Sequence, residues 1–128
     1  MTKEEWIKQQ DTDDNFGFRL ASINSCRTGL PTTVWVDVME PGVNEIPRLI
    51  FTDSLDGTDP YFKWLPMTLD KENPDLMIEG VIPSLPTSDI ETIKQWIIVH
   101  YDELMDVWNC SISHCDFIIN NYLKNEYT

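Results

Sequence analysis

The sequence predicts an α+β fold: a short N-terminal helix, an antiparallel, meander-like sheet of about four to five strands, and two C-terminal helices packed on one face. The chain has 128 residues, of which 41% are hydrophobic, so its length suits a single domain, residues 1–128, with its own core. All five Gly and all eight Pro lie between Gly17 and Pro86, which indicates turns and strands there and helices after it. The hydrophobic period also changes after Pro86 from two to three and four.

The N-terminal helix is predicted from Thr2 to about Gln10. Thr2 and Glu5 have the spacing of a capping box, in which each side chain binds the backbone N–H of the other residue. The helix would present Trp6 and Ile7 to the body of the protein.

Five segments have the composition and alternation of strands. They are residues 16–21, 33–39, 46–51, 61–69 and 76–82. The second is the clearest, because Val34, Val36 and Val38 share one face of it. Pro47 cannot donate to a ladder and is expected at a strand start or an edge, and Pro66 weakens the prediction for 61–69 for the same reason.

Two helices are predicted after Pro86. Ser88 and Glu91 form a second potential capping box. Apolar residues then recur at three and four, which predicts a helix of about 20 residues; they are Ile90, Ile93, Ile97, Tyr101, Leu104, Met105 and Trp108. Ser113, with Asp116 three residues later, would begin a shorter amphipathic helix.

The charge excludes several classes of partner. The chain has 22 Asp and Glu against 9 Lys and Arg, a net charge of −13, and the acids are spread almost evenly along it. Direct binding of nucleic acid needs clustered cations, so it is not expected. An anionic membrane surface is disfavoured by the same sign argument, and no apolar run approaches the ~20 residues of a membrane span.

The N-terminus and the cysteines predict a cytoplasmic protein. Glu4 and Glu5 stand where a secretory signal would carry basic residues and then an apolar run. Three cysteines, Cys26, Cys110 and Cys115, are an odd number, and reduced thiols explain them most simply in a chain of this length.

The first candidate site is an acidic segment with part of the spacing of a calcium-binding loop. Asp11, Asp13 and Asn15 match the alternating oxygen ligands that open an EF-hand loop. Phe16 and Ser22 occupy the positions that require Gly and a bidentate Glu. A solvated loop is therefore expected there.

A second acidic group surrounds an Asp-Gly turn. Asp53, Asp56 and Asp59 lie at intervals of three, and converging carboxylates bind hard divalent cations. An Asp-Gly pair is also typical of a hairpin loop whose acids stay in water. The same acids could form an acidic docking surface together with Tyr61 and Trp35, two aromatic residues expected to reach the surface.

A third group holds both histidines and two thiols: His100, Cys110, His114 and Cys115. Zinc needs four converging ligands, but this spacing lacks the C-x2-C knuckle, and adjacent residues on a helix point about 100° apart. The cysteines are expected instead to be small apolar residues in helix packing. A nucleophilic Cys or Ser beside His fails for the same reason, since sequence neighbours do not face each other. The sequence thus predicts no catalytic residue, no metal and no cofactor.

Several segments resemble small uncharacterised proteins of bacteria and their mobile elements, including phage. The segments are Arg48–Phe51, Trp64–Leu69, Ile93–Ile97, Tyr101–Leu104 and Trp108-Asn109. The resemblance spans roughly residues 45–120. It implies a sheet followed by a helix that ends in a Leu-x3-Trp-Asn segment, and it implies no activity.

Three functions follow as hypotheses. The first is a small, acidic, non-enzymatic protein-interaction module whose partner has a basic surface, because opposite charge raises association rates. The second is a nucleic-acid mimic that inhibits a DNA- or RNA-binding protein, since carboxylates can replace phosphates against Lys and Arg. The third is a small nuclease-like toxin enzyme, which would need Arg19, Arg27 and Arg48 to converge although the overall charge opposes a polyanionic substrate. The partner and the oligomeric state stay open.

Overall fold

The computed structural model describes residues 2–12, 21–23, 25–36, 46–53 and 64–123. The strands are β1 (Ala21–Ile23), β2 (Val34–Val36), β3 (Arg48–Thr52) and β4 (Trp64–Thr68). The helices are α1 (Lys3–Thr12), α2 (Ser25–Thr28), α3 (Thr87–Val99), α4 (Tyr101–Trp108) and α5 (His114–Ile118), and α5 continues into a π-helical turn, Ile119–Leu123. The predicted α+β class is confirmed.

The sheet is an antiparallel meander in which the strands lie in chain order, β1-β2-β3-β4. The predicted strands at 46–51 and 61–69 correspond to β3 and β4, and the one at 33–39 to β2. Residues 37–39 and 61–63 of these predictions lie outside the described residues, as do residues 16–20 of the first predicted strand. Pro47 stands directly before β3, where its missing N–H costs no ladder bond, and its carbonyl accepts from the Leu69 N–H at 3.0 Å.

The fifth predicted strand, residues 76–82, is wrong. A single antiparallel bridge pairs Leu76 with Met67 of β4. The Met77 N–H donates to the carbonyl of Pro66 at 3.0 Å, but Pro66 has no N–H with which to return the bond. The ladder ends there because a proline cannot complete the next hydrogen-bonded pair.

One face of the sheet and the C-terminal helices share the hydrophobic core, with α4 lying against β2. Side chains alternate along each strand, and the buried set on this face is Val34, Val36, Leu49, Phe51, Leu65 and Met67. The helices contribute Ile90, Ile93, Trp96, Ile97, Leu104, Val107, Trp108 and Phe117. Within the described residues, no helix is both long enough and apolar enough to span a membrane.

The N-terminal helix begins as predicted. The Glu5 N–H donates to the Thr2 hydroxyl at 3.2 Å, which is the Thr2 half of the predicted capping box. Trp6 is fully buried, and the guanidinium of Arg48 lies 5.8 Å from the centre of its ring. This contact, of the cation–π type, connects α1 to the start of β3.

The single long helix predicted after Pro86 is two helices, α3 and α4, which meet at His100. The backbone of His100 has φ −103° and ψ 14°, well away from the helical ψ of about −42°. Its N–H still donates to the Trp96 carbonyl at 3.1 Å, and its carbonyl accepts from the Leu104 N–H at 2.9 Å. The hydrogen bonds therefore continue through the break, and so does the apolar period, which is why the sequence pattern does not reveal it.

Of the two capping boxes predicted in this half, one is wrong and one is confirmed. α3 begins at Thr87, with Pro86 as the N-cap and no side-chain cap, so Ser88 lies inside the first turn. At α5, the Ser113 hydroxyl accepts from the Asp116 N–H at 3.0 Å, and the Asp116 carboxylate accepts from the Ser113 N–H at 3.2 Å. Both halves of this capping box are present.

Candidate functional site

The acidic loop predicted to form a docking surface begins with a buried residue. Asp53, directly after β3, is 5% exposed. Its carboxylate accepts from the Ser84 N–H at 2.7 Å and from the Leu85 N–H at 2.9 Å, so it ties the loop before α3 to the end of the sheet. Asp53 therefore presents no charge to solvent. Asp56, Asp59 and Tyr61 lie outside the described residues, and their part in such a surface stays a prediction.

Trp35 lies on the second face of the sheet, half-buried beside Trp64. The two ring centres are 5.4 Å apart with an interplanar angle of 41°. The Trp35 indole N–H donates to the Thr52 hydroxyl at 3.0 Å. We call Trp35 and Trp64 the tryptophan pair; it is partly accessible and contains no titratable group.

A long acidic stretch forms the C-terminal half of the described chain. Residues 72–123 contain nine carboxylates and one Lys, and residues 95–123 contain no Lys or Arg. Seven of these acids are exposed and two, Asp89 and Glu103, are half-buried. We call the exposed set the acidic surface; it comprises Glu72, Asp75, Glu79, Glu91, Asp102, Asp106 and Asp116.

The one cation of this stretch, Lys94, is enclosed by acids. Its ammonium lies 3.6 Å from a Glu91 carboxylate oxygen and 3.9 Å from one of Asp75, and its side chain is 21% exposed. Ion pairs of this kind stabilise a fold by at most about 1 kcal/mol. Their consequence here is electrostatic. Because Lys94 is the one Lys or Arg of residues 72–123 and is already paired with Glu91 and Asp75, this stretch supplies no further cation to offset the carboxylates of α4 and α5.

An aspartate at the edge of this stretch is held in its charged form. The carboxylate of Asp70 accepts from the Glu72 N–H at 2.8 Å and from the Asn73 N–H at 2.9 Å. These bonds, that of Asn73 first, lower the pKa of Asp70, because hydrogen bonds to a carboxylate favour its ionised form.

A second feature of the same half is a group of aromatic side chains at the junction of α3 and α4. We call Trp96, His100, Phe117 and Tyr122 the helical aromatic cluster. The His100 ring centre lies 4.7 Å from that of Trp96 and 5.6 Å from that of Phe117. Phe117 also packs edge-on against Trp96, at 5.9 Å, and against Tyr122, at 6.4 Å. Such tilted and edge-on arrangements are favoured between rings.

Three hydrogen bonds surround this cluster. The Trp96 indole N–H donates to the Tyr122 hydroxyl at 3.0 Å. The Asn121 side-chain amide donates to a Glu103 carboxylate oxygen at 3.0 Å and to the Phe117 carbonyl at 2.9 Å. These bonds join the π-helical turn to both α3 and α4.

Burial changes the acidity of two members of the cluster. It lowers the pKa of His100, while the charge of Glu103 opposes the shift. It raises the pKa of Tyr122; the bond from Trp96 opposes this rise and the charge of Glu103 adds to it. In both residues the cluster favours the uncharged form.

The four residues weighed as zinc ligands have different surroundings. His100 belongs to the helical aromatic cluster, whereas Cys110 and Cys115 are exposed, and the side chain of His114 lies outside the described residues. The expectation that Cys110 and Cys115 are small apolar residues in helix packing is therefore wrong. Cys110 has φ 62° and follows the end of α4, where the Ser111 N–H donates to the Asp106 carbonyl at 2.7 Å as in a Schellman motif. In the described part of the chain, no three His, Cys, Asp or Glu side chains are grouped so as to hold a metal ion.

The arginines that the nuclease hypothesis requires to converge also differ in burial. Arg48 is 2% exposed and packs over the Trp6 ring. Arg27 is exposed on α2, and Arg19 lies outside the described residues. A buried guanidinium at the start of β3 is poorly placed to bind a polyanion.

The helical aromatic cluster was not among the sequence predictions. Trp96 and His100 are four residues apart, a spacing that places two side chains on one face of a helix, so this part of the cluster carried a local signal. The contacts with Phe117, Asn121 and Tyr122 depend on how α5 returns to α3, and no local pattern indicates that.

Comparison with known proteins finds no relative: the chain matches no family model, no curated protein and no solved structure. The resemblance to small bacterial and mobile-element proteins stays a prediction.

Proposed function

We propose that this chain is a non-enzymatic interaction module that binds a protein partner with a basic surface through its acidic surface. The observation that supports this most is the composition of residues 72–123, where nine carboxylates accompany one Lys. That Lys, Lys94, is already paired with Glu91 and Asp75. A cationic partner that approaches α4 or α5 therefore meets carboxylates without a competing positive charge from these elements.

Helix α4 carries two exposed carboxylates that one cationic group of a partner could contact together. Asp102 and Asp106 are exposed and four residues apart on α4, which places their Cβ atoms about 5–6 Å apart on one face. Lys and Arg side chains can bind such paired carboxylates, and the attraction acts over a Debye length of ~10 Å at 0.1 M salt. Electrostatic attraction of this kind raises association rates more than it raises affinity.

The experiment compares two double variants that remove equal charge from different surfaces. The pair Asp102→Asn and Asp106→Asn alters the acidic surface, and the matched control Glu4→Gln and Glu5→Gln alters exposed acids of α1. Each tagged chain is used to capture proteins from the host at low salt, and the association rate with the captured partner is measured at rising salt.

We expect the α4 variant to lose most of the captured partner and the α1 variant to retain it, with binding by the parent chain falling as salt rises. Equal retention by both variants would contradict the proposal, and so would a partner whose binding does not depend on salt.

The hypothesis of a nucleic-acid mimic can be tested with the same captured partner. If the captured protein binds DNA or RNA, a nucleic-acid competitor should displace it from the chain, because carboxylates and phosphates would share its cationic site. A partner that nucleic acid does not displace supports a basic protein surface of another kind.

A further inference from the structure

His100 lies at the point where three helical elements meet. It is the residue between α3 and α4, and its ring contacts both Trp96 of α3 and Phe117 of α5. The imidazole therefore borders both the helix junction and the docked α5.

The segment that docks against His100 comprises residues 113–123, which we call the C-terminal segment. Phe117, its anchor, is fully buried. Ile118 and Tyr122 are also partly buried against the core. Two polar contacts add to this packing: Tyr122 accepts from Trp96, and Asn121 donates to Glu103. The His100 ring contacts both the anchor Phe117 and Trp96, which donates to Tyr122, so the imidazole is part of the surface on which the C-terminal segment docks.

We propose that His100 is a pH-responsive latch that holds the C-terminal segment on α3 and α4 while the imidazole is uncharged and releases it on protonation. A protonated imidazole between the rings of Trp96 and Phe117 loses part of its hydration, and a partly buried cation is costly unless a counter-charge offsets it. When the C-terminal segment separates, the imidazole regains water.

Among the residues that the structure describes, few charged or titratable groups lie near the imidazole. α4 contributes Glu103, whose charge favours protonation of His100. The carboxylate of Glu103 already accepts a bond from Asn121. The C-terminal segment contributes Tyr122, which is neutral near pH 7, and the contacts from α3 and α5 are the uncharged rings of Trp96 and Phe117.

The direction of the pH dependence follows from the balance of burial and Glu103. Burial is the larger cause, so the pKa of His100 in the docked state is below its ordinary value of 6.5. Docking is therefore strongest above pH 6.5 and weakens as the pH falls from 6.5 toward the lowered value. Because one proton is involved, the ratio of released to docked molecules rises by at most about tenfold per pH unit.

The test measures amide hydrogen exchange of the full chain from pH 7.5 to 5.5, with each rate divided by the intrinsic rate at that pH. In parallel, NMR follows the Trp96 indole N–H, which is assigned by comparison with a Trp96→Phe variant. His100→Phe keeps a ring that cannot take a proton, His100→Gln is a smaller uncharged substitute, and His114→Gln removes the other His as a control.

In the parent chain and in His114→Gln, we expect protection of the C-terminal segment to fall between pH 7 and 5.5 and the Trp96 indole signal to shift with it, while β3 and β4 stay protected. The dependence should vanish in His100→Phe and in His100→Gln. If either His100 variant folds and retains the dependence, the latch is refuted, as it is if the parent chain shows no change in this range.

Glu103→Gln gives a second and sharper result. It preserves an acceptor for Asn121 but removes the charge that favours protonation of His100. The transition should then move to lower pH. A shift to higher pH, or none, would contradict the assignment of Glu103 as the opposing charge.

Discussion

The tryptophan pair of the sheet and the helical aromatic cluster use the same contact in different settings. In each, an indole N–H donates to a hydroxyl at 3.0 Å, Trp35 to Thr52 and Trp96 to Tyr122. Thr52 cannot titrate in water and belongs to β3, which neighbours the strand of Trp35. Tyr122 can titrate and lies on a segment that reaches α3 only through tertiary packing. One contact therefore follows from strand pairing, whereas the other depends on docking and on pH.

The largest expected effect comes from removing the anchor of the cluster. Phe117→Ala should lower the free energy of unfolding by about 3–5 kcal/mol, because a fully buried ring is replaced by a cavity. Chemical denaturation measures this loss. The Trp96 indole signal should change markedly while that of Trp35 stays in place.

Trp35→Ala is the matching change in the sheet. Because Trp35 is half-buried, its loss should cost less than that of Phe117. If Phe117→Ala moved the Trp35 signal as much as the Trp96 signal, the two regions would not be independent.

The second effect concerns the joint between the two regions. Asp53→Ala removes a buried carboxylate that accepts two N–H groups of the loop before α3. We expect a loss of about 2–3 kcal/mol, because buried N–H groups would be left without a partner. Asp70→Ala is the control, since Asp70 also accepts two N–H groups but is exposed. Similar losses in both variants would show that burial is not the cause.

Asp53 also shows how much of the fold and of the candidate site could be predicted from the sequence. The α+β class, the strand order and the capping box of Ser113 follow from local patterns that the structure confirms. Asp53 was assigned to a surface because it is part of an acidic, Gly-containing turn. Its bonds to Ser84 and Leu85 join positions more than 30 residues apart in sequence, and spacing carries no information about such pairs.

Two further predictions fail for local reasons, although each rests on a strong pattern. The apolar stripe from Ile90 to Trp108 runs through His100 unbroken, because a change of φ and ψ at this one residue preserves the hydrogen bonds on both sides. The strand pattern at 76–82 fails at its partner, since Pro66 lacks the N–H that the next pair requires. In the first, the break falls at a residue that is not one of the apolar positions of the stripe; in the second, the deciding residue lies on the partner strand.

The third effect compares the two hydroxyl acceptors directly. Tyr122→Phe and Thr52→Val each remove the partner of an indole N–H, and each should cost about 1 kcal/mol near pH 7. Only the first should alter the response to high pH. Because burial raises the pKa of Tyr122 above 10.0, this residue stabilises the fold below pH 10, and the contribution is lost as the pH rises through its raised pKa.

Denaturation at pH 7 and at successive values above 10 checks this. The difference in stability between the parent chain and Tyr122→Phe should shrink as the pH rises, while the difference for Thr52→Val should stay constant. A constant difference for both would mean that the Tyr122 hydroxyl is no more buried than one in the unfolded chain.

The smallest effect tests whether docking of the helical aromatic cluster depends on how α5 begins. Ser113→Ala removes the hydroxyl that accepts from the Asp116 N–H and should cost about 1 kcal/mol. Ser88→Ala is the matched control, because Ser88 is exposed inside the first turn of α3 and caps nothing; surface changes of this kind stay within about 0.5 kcal/mol. Since the capping box fixes the first turn of α5, and Phe117 lies one turn from Ser113, loss of the cap should also lower the exchange protection of the C-terminal segment. Equal stability of the two variants would show instead that the packing of Phe117 fixes the start of α5 without help from its cap.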